Sequence, residues 1–104
     1  MKIEYIYCTF PNIRLAKKVG RVVLLEKLAA CINIIPDVRS LYRWKGKIES
    51  DKECVVIIKT TKSKTKNLIR FIENNHPYET PSISSLSVCN ISKEFERWIK
   101  NECK

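Results

Sequence analysis

The sequence predicts an α+β fold, an antiparallel sheet with helices on one face, built in the order strand, helix, strand, strand, helix, strand, with a C-terminal helix added. Three observations predict it. Four segments are rich in β-branched and aromatic residues, two segments between them carry apolar residues at spacings of three and four, and a Lys45-Gly46 turn signal joins the two middle strands directly. Together they give the ferredoxin-like βαββαβ pattern.

Ile3–Thr9 reads as the first strand. After Phe10-Pro11, Asn12 is placed to cap a helix whose apolar stripe is Leu15, Ala16, Val19, Val22, Val23 and Leu28, with Arg14, Lys17, Lys18 and Arg21 facing water. Ala29–Ile35 is strand-like. Pro36-Asp37 interrupts it, which marks an edge strand, a bulge or a bend. Val38–Trp44 resumes the strand, and Lys47–Thr60 returns, so that Cys31–Thr60 forms one long hairpin. Thr61 can cap a second helix with Leu68, Ile69, Phe71 and Ile72 inside, ending near His76-Pro77 because a residue before proline avoids helical torsions. Tyr78–Pro81 reads as an extended loop, Ile83–Cys89 as the fourth strand, and Ser92 as the cap of a short helix carrying Phe95, Trp98 and Ile99.

The chain has 104 residues, room for one domain over residues 1–104. With 44% hydrophobic and 30% charged residues it is neither a disordered tail nor a membrane protein, and it has no apolar run long enough to span a bilayer. Met1–Tyr7 is too short and too aromatic for a signal-peptide core and reads as mature sequence. The five cysteines are odd in number and form no CxxC pair, which favours free thiols in a reducing cytoplasm over a disulfide framework.

Strand patterning also bears on assembly beyond one subunit. A two-layer domain leaves one sheet face open, so its strands should alternate apolar and polar residues. Cys54–Ile58 is apolar throughout, and Tyr5-Ile6-Tyr7-Cys8 does not alternate either. Strands of that kind are usually buried on both faces, so the open face is expected to pack against other subunits.

The net charge of +9 raises nucleic acid as a partner, since RNA-recognition motifs share this element order. However, the Glu53–Ile58 stretch has no aromatic on which a base could stack, the Lys/Arg-Gly-aromatic signature is missing, and the basic residues are spread over all three helices. No specific nucleic-acid partner is expected. GxSxG, HExxH, Walker A and GxGxxG motifs are all missing, and the single histidine has no designated nucleophile to serve, so no enzymatic activity is expected. His76, at a helix end, reads most simply as a capping residue. A thiolate and an imidazole together also suit copper or zinc, and Cys8 ends the first strand where the His76 loop could pass.

Several runs of residues then resemble one family in order and spacing: Leu28–Pro36, Ser40–Ile48, Ile58–Thr61 and His76-Pro77-Tyr78-Glu79-Thr80-Pro81, with Thr9–Asn12 before them and Glu96-Arg97-Trp98 after. They resemble the CutA divalent-cation-tolerance proteins over essentially the whole chain. The resemblance implies a PII-like subunit in a homotrimer, with the hairpin reaching across to its neighbours. It implies a role in tolerance to divalent metals, notably copper, and no enzyme. It also implies copper ligands at Cys8 and His76. The first histidine of the family's pair is Asn75 here, and Ser82 replaces an acidic residue that often follows the Thr80-Pro81 match. Tyr42, Trp44 and Tyr78 are expected to pack between subunits. A PII-like module that binds a small ligand or partner in inter-subunit clefts, without metal, is the alternative.

Overall fold

A computed structural model describes residues 2–104, so Met1, the first residue of the expected domain, lies outside the described residues. The elements are β1 (Ile3–Phe10), α1 (Ile13–Leu25), β2 (Cys31–Trp44), β3 (Lys47–Thr61), α2 (Lys62–Asn74), β4 (Ile83–Ser87) and α3 (Lys93–Glu102). The four strands form one antiparallel sheet in the order β2-β3-β1-β4. This is the expected α+β architecture.

Strand alternation divides the sheet into two faces. Ile6, Cys8 and Phe10 of β1, with Cys54, Val56 and Ile58 of β3, meet Ala16, Val19 and Val23 of α1 and Leu68 and Ile72 of α2 in the main core. Ile3 and Tyr5, of the opposite parity, belong to a second cluster with Ile99, Cys103 and Phe95 of α3. Thus α1 and α2 form the helix layer, and α3 covers one end of the other face. Lys59 Nζ is held there between the rings of Tyr5 and Phe95.

Local chemistry explains most element boundaries. Asn12 Oδ1 accepts the Leu15 N–H at 2.8 Å and starts α1 as expected. The helix stops earlier than the apolar stripe suggests. Lys27 takes a left-handed conformation (φ 56°), Lys27 N–H donates to Leu24 O, and Leu28 N–H donates to Val23 O. That is a Schellman ending with lysine where glycine is usual. Leu28 therefore lies outside the helix, folded back on the core, and Val22 of the predicted stripe is left exposed. Thr61 and Ser92 occupy the N-cap positions of α2 and α3 with extended backbones, but neither side chain bonds the helix N–H groups. Thr61 is still the last paired residue of β3, and its buried hydroxyl meets Ser63 Oγ instead.

Pro36-Asp37 is both an edge feature and a bulge: β2 is the sheet's edge, and its register shifts between Ile35 and Val38. Asp37 has φ 58°, and its carboxylate pairs with Lys52 Nζ at 2.8 Å. Beyond the bulge, β2 and β3 continue without β1, which pairs only as far as Cys54. They close on Lys45 (φ 48°) and Gly46 (φ 81°), the positive torsions of a twist-matched two-residue hairpin turn. This two-stranded arm gives the molecule its 44 Å long axis. The fourth strand is shorter than expected, because after Val88 N–H bonds Ile3 O the chain leaves the sheet. No helix among the described residues is long and apolar enough to cross a membrane.

Candidate functional site

At the Phe10 end of the sheet the loop after α2 turns back over β1. Asn75 ends the helix, its Nδ2–H donating to Phe71 O at 2.8 Å. His76 is therefore not the cap that its position suggests. Its ring lies 4.5 Å from Phe10 and 4.7 Å from Tyr78, centroid to centroid. The Tyr78 N–H points at Nδ1 (3.2 Å), which fixes Nδ1 as the acceptor, so Nε2–H is the donor to Thr9 O at 2.7 Å. Both ring nitrogens of a neutral imidazole are thereby used.

Cys8 converges on the same atom. Its S–H donates to Thr9 O at 3.6 Å from within the main core, where the residue is 0% exposed. Burial pushes this thiol up to about 12, with Cys54 and Glu53 adding to the shift. The structure thus brings Cys8 and His76 to one carbonyl oxygen, as a protonated thiol and a fully hydrogen-bonded imidazole. Neither presents a lone pair to a metal, and among the described residues no three His, Cys, Asp or Glu side chains gather into a metal cluster. The donor set as arranged does not fit a resident divalent ion.

On the opposite sheet face, the same loop and the hairpin arm enclose a cleft of about 640 Å³. Tyr42, Trp44 and Tyr78 all line it, joined by Tyr7, Asp51 and Glu53. Tyr42 Oη–H donates to Asp51, and Tyr78 Oη–H donates to Glu53 Oε2 at 2.7 Å. The phenol of Tyr42 is pushed up to about 12, first by its bond to Asp51. That of Tyr78 is raised further, mainly by burial and then by its bond to Glu53. Asn75 is absorbed in capping, while Ser82 lines this cleft.

Sequence reading found the aromatic residues but missed Asp51, Glu53 and Tyr7. The available signal was parity: Asp51 and Glu53 are two apart on one strand and share a face. Only the β1–β3 and β2–β3 registers place that face opposite Tyr7 and Tyr42. Part of the continuous apolar pattern is accounted for within the single chain, since Val55 is buried while Ile57 is only half-buried.

Comparison with known proteins agrees with this architecture. Residues 4–102 match the family described as CutA1 divalent ion tolerance protein. The divalent-cation tolerance protein CutA of Thermotoga maritima is 44% identical over 95 residues, covering 91% of this chain and 93% of that protein. The chloroplastic protein CutA of Arabidopsis thaliana is 38% identical over 99 residues, 95% of this chain but 54% of that protein, so the chain spans about half the length of the plant relative. The crystal structure of CutA from Xylella fastidiosa superposes with a TM-score of 0.96 at 33% identity, covering 100% of both chains. A structure from Archaeoglobus fulgidus, titled a periplasmic divalent cation tolerance protein CutA, gives 0.95 at 34% identity, covering 98% of this chain and 99% of that one. With the family matched along nearly its whole length and the fold shared throughout, this chain belongs to the CutA1 divalent ion tolerance family.

Proposed function

We propose that this chain serves divalent-cation tolerance as a homotrimeric, PII-like module that holds a small ligand or partner in the cleft between its hairpin arm and the 76–82 loop. It acts by binding rather than turnover. The observation that carries the reading is the arm itself. A two-stranded ribbon is marginal in water, yet this one extends past the sheet with Leu41 75% exposed and Ile48 77% exposed on one side and the aromatic cleft on the other. Packing against copies of the chain would cover both sides and bury Tyr42, Trp44 and Tyr78 between subunits. The five free cysteines suit a reducing cytoplasm. Light scattering at micromolar concentration tests the assembly: the wild type should be trimeric and Leu41→Glu/Ile48→Glu should dissociate. A monomeric wild type would overturn the reading.

A second reading, weak copper binding through Cys8 and His76, has both side chains beside Thr9 O in its favour, but it requires the thiol to lose its proton and the imidazole to give up one of its hydrogen bonds. Calorimetric copper titration decides it. Cys8→Ser and His76→Ala should each lower affinity; unchanged stoichiometry and affinity in both variants would eliminate the site.

A further inference from the structure

Between Ile13 and Leu25, α1 carries four cations and no acid: Arg14, Lys17, Lys18 and Arg21, all exposed. Arg14 precedes Lys17 and Lys18 by three and four residues, and Arg21 follows them by four and three, so helical spacing sets all four side by side on one stripe. Like charges at those spacings destabilise a helix, and Arg14 in the first turn also opposes its dipole. Among the described residues the ion pairs are Asp37–Lys52 and Glu96–Lys100, and neither relieves the stripe. An anionic surface laid alongside would.

The stripe runs into apolar residues. Val22 follows Lys18 by four, and Leu24 and Leu25 follow Arg21 by three and four. All three are exposed, Leu25 at 79%, and none belongs to the main core. Exposed leucines scattered singly are ordinary, but here adjoining apolar side chains end an unpaired basic stripe. This face lies in the helix layer, on the side of the sheet away from the aromatic cleft. Assembly through the open sheet face leaves it uncovered.

Nucleic acid would answer the cations but not the leucines, and α1 has no aromatic residue on which a base could stack. A bilayer surface answers both, since anionic headgroups meet the lysines and arginines while leucines enter the acyl boundary. Such contact lies on the membrane and needs no spanning helix, in keeping with the short helices here.

We propose that the outer face of α1 docks on an anionic phospholipid surface, with Arg14, Lys17, Lys18 and Arg21 on the headgroups and Leu24 and Leu25 inserted beneath them. The surface is separate from the cleft and does not depend on what the cleft holds.

The test is cosedimentation of the intact protein with vesicles of phosphatidylcholine alone or of equimolar phosphatidylcholine and phosphatidylserine. The protein should bind the mixed vesicles only, and less as salt rises. Lys18→Glu/Arg21→Glu should weaken binding by about 25-fold or more, at about fivefold for each cation removed. Leu25→Ser keeps the charge and, at so exposed a position, the core; it should weaken binding by about threefold to tenfold. Retention on duplex DNA of mixed sequence, a purely electrostatic reference, should be unchanged by Leu25→Ser. Failure to bind the mixed vesicles at low salt, or vesicle binding indifferent to either variant, would overturn the proposal. Equal weakening of vesicle and DNA binding by Leu25→Ser would overturn it as well.

Discussion

Replacing His76 by alanine removes a clasp that ties the 76–82 loop to β1. The 2.7 Å bond to Thr9 O contributes about 1–1.5 kcal/mol net, reduced where water can replace the lost donor at this half-buried position. Lost packing of the ring on Phe10 and Tyr78 adds about 1 kcal/mol. His76→Ala should therefore destabilise by about 1.5–2.5 kcal/mol, measured by urea unfolding at one fixed protein concentration because oligomers shift with mass action. His76→Phe restores the ring without its nitrogens and should recover about 1 kcal/mol. Because Tyr78 receives its position from the same loop, His76→Ala and Tyr78→Phe should be non-additive by about 0.5–1 kcal/mol. A loss below about 0.5 kcal/mol for His76→Ala, or strict additivity, would show that the loop is held by something other than this clasp.

Three further outcomes follow from the same geometry. Alkylation of the native protein near neutral pH should modify exposed Cys89 first and leave buried Cys8, Cys54 and Cys103 protected until unfolding, as read by mass spectrometry; rapid loss of the Cys8 thiol would refute its protonated, core placement. The Tyr42 phenol has a folded pKa raised above its unfolded value, so its hydrogen bond to Asp51 is fully present below about pH 10 and is lost as pH rises toward about 12. Phenolate absorbance should show two late-titrating tyrosines, Tyr42 and Tyr78, of which Tyr42 returns toward ordinary values in Asp51→Asn, and an unchanged titration would refute the pairing. Lys27→Gly should raise stability by about 0.5–1 kcal/mol, since glycine adopts the left-handed torsion at the end of α1 without the Cβ clash; thermal unfolding checks it, and a lower midpoint would show that the lysine side chain holds the turn.

The elements differ in how legible they were. Asn12, Lys45-Gly46 and Pro36-Asp37 were readable because capping, turn and bulge chemistry act over a few residues. Lys27 was not, because a left-handed lysine carries no compositional mark and only the position of Leu28 against the core requires it. His76 looked like a cap for the same local reason, whereas its ring is committed to Thr9, far away in sequence. Cys8 and the His76 loop were expected at the same sheet end, and both side chains hydrogen-bond Thr9 O. Residue type alone could not tell that the thiol would lie in the core and that both ring nitrogens would already be bonded.

By itself the sequence determined the order of strands and helices, the antiparallel sheet, the long hairpin and the family, because periodicity, turn chemistry and ordered motifs are local properties of the chain. Only the tertiary structure decided which face each strand residue occupies and what stands across from it. Strand register is a pairing between distant segments, and a shift of one residue exchanges the two faces. That register puts Cys8 into the helix-side core and sets Tyr7, Asp51 and Glu53 beside Tyr42, Trp44 and Tyr78, so a basic chain carries an acidic aromatic cleft.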